Sequence, residues 1–226
     1  MATTVKSSET IIYPESDGSP MGETDLHITL IIYLREALRD YFRAELDIYV
    51  AGNMFFYYEQ GNPAAFVAPD VFVVRGVTKG QRRTYKLWEE TKVPSVVFEI
   101  TSRSTRLDDL GNKRVLYAML GVPEYYLFDP EGDYLEPRLW AYHLNTAQNP
   151  AEYERVFGDV IDSPLLGLEL LVEDDFLRLR EPKSGQNLLT PQEAQAAHRA
   201  EAEARQAAEA EAAQLRAELE RLKSKK

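Results

Sequence analysis

Between Thr24 and Ala44 apolar side chains return every three or four positions. Leu26, Leu30, Tyr33, Leu34, Ala37, Leu38 and Tyr41 fall on one face of a helix that Thr24 or Asp25 can cap. The period then shortens. "LDIYVAGNMFFYYEQGN" is rich in β-branched and aromatic residues and reads as a strand or hairpin over 46–59, split near Gly52 and Asn53. "PDVFVVRGV" is a third extended run, opened by Pro69, which keeps Ala68 out of the helical region. A charged connection over 76–93 leads to the strand "SVVFEIT". "STRLDDLGNKRVLYAMLGV" reads as a helix with Ser104 or Thr105 as cap and Gly121 as stop, and "EYYLFDP" as the strand that follows. Strand, helix, strand is the signature of a parallel crossover. Further strands are expected at 134–144, 151–157 and 165–171.

The pattern as a whole predicts an α/β chain with a mixed sheet. Residues 1–20 are polar and form an N-terminal segment expected to be flexible. Residues 21–182 form the folded domain. Residues 183–226 form an Ala/Glu-rich helical tail. In that tail Leu215, Leu219 and Leu222 follow the four-then-three spacing of a coiled-coil seam. The same register carried backwards meets Ala212, Ala208, Arg205, Glu201 and His198, so only the last two heptads are apolar. The expectation is a long helix that pairs weakly, giving a homodimer, or docks on its own domain.

Composition removes several classes of function. The 226 residues contain no cysteine, which excludes disulfides, thiolate zinc sites and cysteine nucleophiles. The N-terminus lacks a signal-peptide core, and the apolar run "LIIYL" is too short to cross a bilayer, so a cytoplasmic protein without a membrane span is expected. No glycine-rich phosphate loop is present, so no nucleotide cofactor is expected. The net charge is −11. The tail from Glu181 onward holds eight acids and eight bases, so the whole excess lies in residues 1–180. One local reversal stands out: Arg75, Lys79, Arg82, Arg83 and Lys86 occur with no acid between them. They read either as a solvated loop or as a patch for a nucleic-acid backbone.

Chemistry concentrates on carboxylates. Glu99 sits inside an apolar strand, where an isolated charge is costly and must have a partner or a task. Alternation puts Val97, Glu99 and Thr101 on one face and Val96, Phe98 and Ile100 on the other. Asp70 opens the preceding strand. If the two strands pair, Asp70 and Glu99 converge at one sheet end, a donor set suited to Mg²⁺ and to phosphoryl chemistry; the alternative is a Glu99 paired with a nearby Arg or Lys and an Asp70 that caps a turn. Asp109, Lys113 and Tyr117 share a helix face at four-residue spacing. Lys113 either pairs with Asp109 on the surface or aims its ammonium at the carboxylates. Arg103 and Arg106 flank the site in sequence and can reach phosphate.

The order "PDVFVV … PSVVFEITSRST … DDLGNKRVLYAMLGVPEYYLFDP" resembles the Uma-two family of restriction-endonuclease-like proteins, within the PD-(D/E)xK nuclease superfamily. The similarity spans about residues 20–226 and includes "MGETDLH", "YKLWEE" and "SPLLGLEL". It implies a restriction-endonuclease-like αβββαβ core with added β-strands, and metal carboxylates on the second and third core strands. On this resemblance Asp70 and Glu99 are the catalytic metal ligands. Thr101 occupies the position where the superfamily carries lysine, and Lys113 is the migrated catalytic lysine. Glu23 and His27 match the first-helix pattern and are additional candidate ligands. The function implied is a Mg- or Mn-dependent endonuclease acting on DNA, with Arg75, Lys79, Arg82, Arg83, Lys86, Arg103 and Arg106 as DNA contacts. The competing reading is an inactive nuclease fold that works as an interaction protein through its tail.

Overall fold

The computed structural model describes residues 11–16 and 24–224. The chain forms two compact units, Met1–Leu188 and Leu189–Lys226. Among the described residues the first helix is α1 (Asp25–Tyr41), capped by Thr24, whose side chain accepts the His27 N–H. Strands β1 (Ile48–Gly52), β2 (Phe56–Tyr57), β3 (Phe66–Val67), β4 (Val71–Arg75) and β5 (Tyr85–Lys86) follow, then the single turn α2 (Leu87–Glu90) and β6 (Val96–Ile100). The crossover consists of α3 (Arg106–Asp108), a π-helical turn (Asp109–Lys113) and α4 (Arg114–Leu120). Gly121 ends it in the left-handed conformation, φ 81°, a position that suits glycine. Strands β7 (Glu124–Phe128), β8 (Leu139–Asn145), β9 (Glu152–Val156), β10 (Val160–Ser163), β11 (Leu168–Glu173) and β12 (Phe176–Arg180) complete the unit.

Six strands form the central sheet in the order β1-β4-β6-β7-β8-β9. Within this sheet β6 and β7 pair in parallel, as a strand–helix–strand crossover requires, and the other neighbours pair antiparallel. Helix α1, strands β1, β4 and β6, the crossover and β7 together make the αβββαβ core. Both faces of the sheet are covered. Val96, Phe98 and Ile100 pack with Leu30, Leu34 and Leu38 of α1, and with Leu170 and Leu179 of the sheet β10-β11-β12. Val97 packs on the opposite face with Phe72, Tyr117 and Tyr125. Strict alternation therefore aims Glu99 at the crossover helix, away from α1.

Some boundaries differ from the sequence pattern. Residues 46–59 do not form one hairpin. β1 pairs with β4, whereas β2 joins β3 and β5 in a small separate sheet. The break is made at Asn53, whose φ is 50° and whose N–H reaches the carbonyls of Pro69 and Asp70. The strand expected from 134 begins at Leu139 instead. Buried Asp129 accepts N–H bonds from Gly132, Tyr134 and Leu135 and holds the preceding segment as a loop. Strands β10 and β12 were not expected at all. Their inward residues, such as Ile161, Leu177 and Leu179, are buried by α1 and the main sheet, a context invisible in so short a run.

The second unit is the helix α5 (Pro191–Lys223). Thr190 and Glu193 form a reciprocal capping box at its start, with proline in the first turn. Among the described residues no helix is long and apolar enough to cross a membrane.

Candidate active site

Strand register brings the two acids together. Val71 lies opposite Phe98 in the antiparallel β4–β6 pair, so one further step sets Asp70 opposite Glu99. The Asp70 Oδ2 accepts the Ile100 N–H at 2.6 Å. His27, held in the first turn of α1, places Nε2 at 3.4 Å from the same oxygen. The Glu99 side chain is 1% exposed. Its Oε2 accepts from Lys113 Nζ at 2.9 Å and its Oε1 from the Tyr117 hydroxyl at 2.8 Å. Lys113 Nζ also lies 2.9 Å from Asp109 Oδ1. The Tyr125 hydroxyl donates to the Asp109 carbonyl and fixes the π-helical turn against β7.

The charges do not balance internally. Asp70, Glu99 and Asp109 surround one ammonium. Burial pushes the Glu99 carboxyl up to about 8; Lys113 opposes this, while Asp70 and Asp109 reinforce it. Burial likewise raises Asp109, again against Lys113. Burial disfavours the charge on Lys113, yet Glu99, Asp109 and Asp70 together hold it well above the ordinary lysine value. Lys113 is therefore a permanent cation, outnumbered by acids that share it.

A pocket of about 460 Å³ opens beside these groups, lined in part by Thr24, His27, Thr101, Ser102, Arg103 and Glu131. Thr101 is buried, and its Oγ1 makes no hydrogen bond among the described residues. It lies two residues beyond Glu99 on the same face. Glu99 meets its ammonium in Lys113, which is carried by the crossover. Three carboxylates and a hydroxyl without a hydrogen bond among the described residues are oxygen donors of the kind that suits a hard cation. Among the described residues, however, no three His, Asp or Glu side chains stand ready as ligands around one point.

The other candidates scatter. Glu23 lies outside the described residues. Arg103 lines the pocket, and Arg106 donates to the Arg103 carbonyl while covering the Tyr134 ring. The ion pairs formed by the basic run 75–86 go to Glu90, Glu15 and Glu89 and not to Asp70 or Glu99. Arg75 ends β4, about 16 Å along the strand from Asp70. Each member has a local partner: Arg75 the Leu165 carbonyl, Lys79 the carbonyls of Phe42 and Arg43, Arg82 the Glu90 carboxylate, Arg83 Glu15, and Lys86 Glu89. The Tyr117 bond to Glu99 was not foreseen. The shared spacing of residues 109, 113 and 117 was the signal for it, but only the depth of the helix against β6 turns that spacing into contact.

Three findings relate this chain to known proteins. A family model described as "Uma2: Putative restriction endonuclease" matches residues 13–173. No curated protein matches the sequence. Among solved structures, the chain is similar to one titled "Crystal structure of a putative nuclease belonging to DUF820" from Anabaena variabilis ATCC 29413. The TM-score is 0.50 at 14% identity, covering 72% of this chain and 88% of that one, a likeness of fold. The family match takes in α1, both acids, the crossover with Lys113 and most of the second sheet, and on it the chain belongs to the Uma2 family.

Proposed function

We propose that the protein is a divalent-metal-dependent DNA endonuclease that hydrolyses phosphodiester bonds. The observation that carries this reading is the meeting of Asp70 and Glu99 across β4 and β6, with the Lys113 ammonium on Glu99. The family description and the nuclease title of the structural neighbour support the substrate class. Asp70 and Glu99 would hold Mg²⁺ or Mn²⁺, with His27 at the edge of the pair. A hard cation there supplies Lewis-acid activation of the scissile phosphate and of water. Lys113, charged throughout the working pH range, orients the attacking water and offsets negative charge growing on the phosphate. Asp109 keeps that ammonium in place from its other side. Tyr117 fixes one oxygen of Glu99, and the Ile100 N–H fixes one oxygen of Asp70. Water attacks phosphorus in line and gives up a proton to solvent, the bond to the 3′ oxygen breaks, and that oxygen takes up a proton from solvent as it leaves.

The test uses the purified full chain with duplex and single-stranded DNA in Mg²⁺ or Mn²⁺. Cleavage by the wild type, and its loss in both Asp70→Asn and Glu99→Gln, is expected. No cleavage by the wild type, or equal cleavage by both variants, sinks the reading.

One observation favours a second reading. Both Glu99 oxygens already have partners in Lys113 and Tyr117. A fold that keeps this closed cluster and works instead through its C-terminal helix, by self-association or partner binding, is consistent with it. Calorimetry with Mn²⁺ separates the two: no heat and no thermal stabilisation favours the non-catalytic protein.

A further inference from the structure

A second charged feature lies on the outer edge of the main sheet. β1 is the edge strand, with a ladder partner on one side only. Along its open side runs a groove in two joined halves of about 190 and 310 Å³, which share Arg39, Tyr49, Val50 and Gly80. One wall carries Arg35 and Arg39 from α1 and Arg43 just past its end. The opposite wall carries Lys79 and Arg82 from the loop after β4. Lys79 ties that loop to the end of α1 through the Phe42 and Arg43 carbonyls. Arg82 is clamped by Glu90 and lies over the Tyr49 ring at 4.2 Å. Both walls are therefore built, not floppy.

In a chain of net charge −11 this is a local reversal of sign. Five cations face the groove, and no carboxylate lines either half among the described residues. The nearest acids lie outside it: Glu36 pairs with Arg35 and Arg39, Asp40 with Arg43, and Glu90 with Arg82. The Arg43 and Asp40 side chains are 80% and 79% exposed, so their pairing is weak and exchanges readily for another anion.

The groove also has a direction. Arg35, Arg39 and Arg43 follow at four-residue intervals, about 12 Å end to end at helical rise. That is the axial length of three to four steps of one DNA strand at about 3.4 Å each. One end of the groove reaches Gly52, where a Cβ would meet the Asp70 carbonyl at 3.0 Å and Arg35 Cδ at 3.1 Å. The cationic row thus ends against the main chain of a candidate metal ligand. We propose that this groove, with Arg35, Arg39 and Arg43 along one wall and Lys79 and Arg82 along the other, is a track for the phosphate backbone of DNA leading to Asp70. The proposal rests on the nuclease reading for the identity of its polyanion. It assigns recognition to the arginines of α1, which carry no signal as a cluster in sequence because acids stand between them.

The experiment measures binding apart from cleavage. Fluorescein-labelled single-stranded and duplex DNA are titrated with the full chain in EDTA, and anisotropy is read across a salt series. Arg39→Gln/Arg43→Gln removes two exposed cations without touching the carboxylate site. Arg199→Gln/Arg205→Gln on α5 makes the same charge change elsewhere. Two lost phosphate contacts should lower the slope of log affinity on log salt by about 1.4 for single strands and about 1.8 for duplex. Affinity should fall about ten-fold or more at low salt, while the α5 variant stays at wild type. Thermal unfolding checks that each variant folds, and Arg43→Gln alone, the most exposed change, serves if the double variant does not. Absence of DNA binding by the wild type, or equal shifts in the groove and α5 variants, overturns the proposal. Binding that tracks the groove with no cleavage in metal refutes the nuclease activity and leaves the track standing. Cleavage that ignores both groove substitutions refutes the track alone.

Discussion

The buried carboxyl of Glu99 should make the protein less stable as pH rises, and Glu99→Gln should remove that residue's share of the slope. In the unfolded chain the group titrates near its ordinary 4.5, whereas in the folded protein burial holds it up to about 8. Between those values the folded state keeps a proton that the unfolded state has released. Stability from this group is thus complete below about 4.5 and is lost as pH climbs through about 8. The slope can reach about 1.4 kcal/mol per pH unit, so between pH 5 and 8 the loss is about 3 kcal/mol. Burial of Asp109 acts in the same direction. Lys113 does not contribute in this window, because its stabilising charge is lost only above the ordinary lysine value of 10.5. Glutamine keeps the volume at position 99 and is neutral at every pH. Urea unfolding at constant ionic strength, in EDTA, from pH 5 to 8.5 gives both profiles. The wild type should fall by about 3 kcal/mol more than the variant, which keeps only the slope that Asp109 contributes. Added Mg²⁺ or Mn²⁺, by favouring the ionised carboxylate, should recover the wild-type loss at pH 8 and do nothing for Glu99→Gln. Superimposable pH profiles for the two proteins would refute the argument that Glu99 carries the excess charge of the site.

Two further outcomes follow from the same cluster. Lys113→Met leaves Glu99 and Asp109 buried without their cation and should cost about 3–5 kcal/mol at pH 8 but less at pH 5, where Glu99 holds its proton; an equal loss at both pH values in urea melts contradicts this. Tyr117→Phe removes one donor from a buried carboxylate and should cost about 1–3 kcal/mol with an unchanged circular-dichroism spectrum, so a fully stable variant would show that the 2.8 Å hydrogen bond contributes nothing.

Much of the core was legible because periodicity is a local property. The helix over Thr24–Ala44 appears as Asp25–Tyr41, the extended run after Pro69 as β4, and the crossover with its Gly121 stop ends where the pattern says. The alternation of "VVFEIT" also put Glu99 on the face opposite Phe98 and Ile100, as the two core clusters show. Of the strand or hairpin expected over 46–59, the strand appears as β1 and the hairpin does not, for a reason of longer range. The chain turns at Asn53 because two carbonyls sixteen and seventeen residues later accept its N–H.

The candidate site divides in the same way. Residue types and spacing alone were enough to single out Asp70, Glu99 and Lys113, since a carboxylate in an apolar strand and a 109/113/117 face need no neighbours to be noticed. Only the fold decided what they do to one another. Register across β4 and β6 sets Asp70 against Glu99, and packing of the crossover on β6 drives Lys113 and Tyr117 onto the two oxygens of Glu99. The charged loop shows the converse. Read along the chain, Arg75 to Lys86 is an unbroken basic run. In space Arg75 is spent on a carbonyl 90 residues away and Arg82 on Glu90, while the cationic groove draws Arg35 and Arg39 from α1 and Arg43 from just past its end. Linear charge counting cannot see such pairings, because electrostatic partners are chosen by distance in the folded chain and not by distance along it.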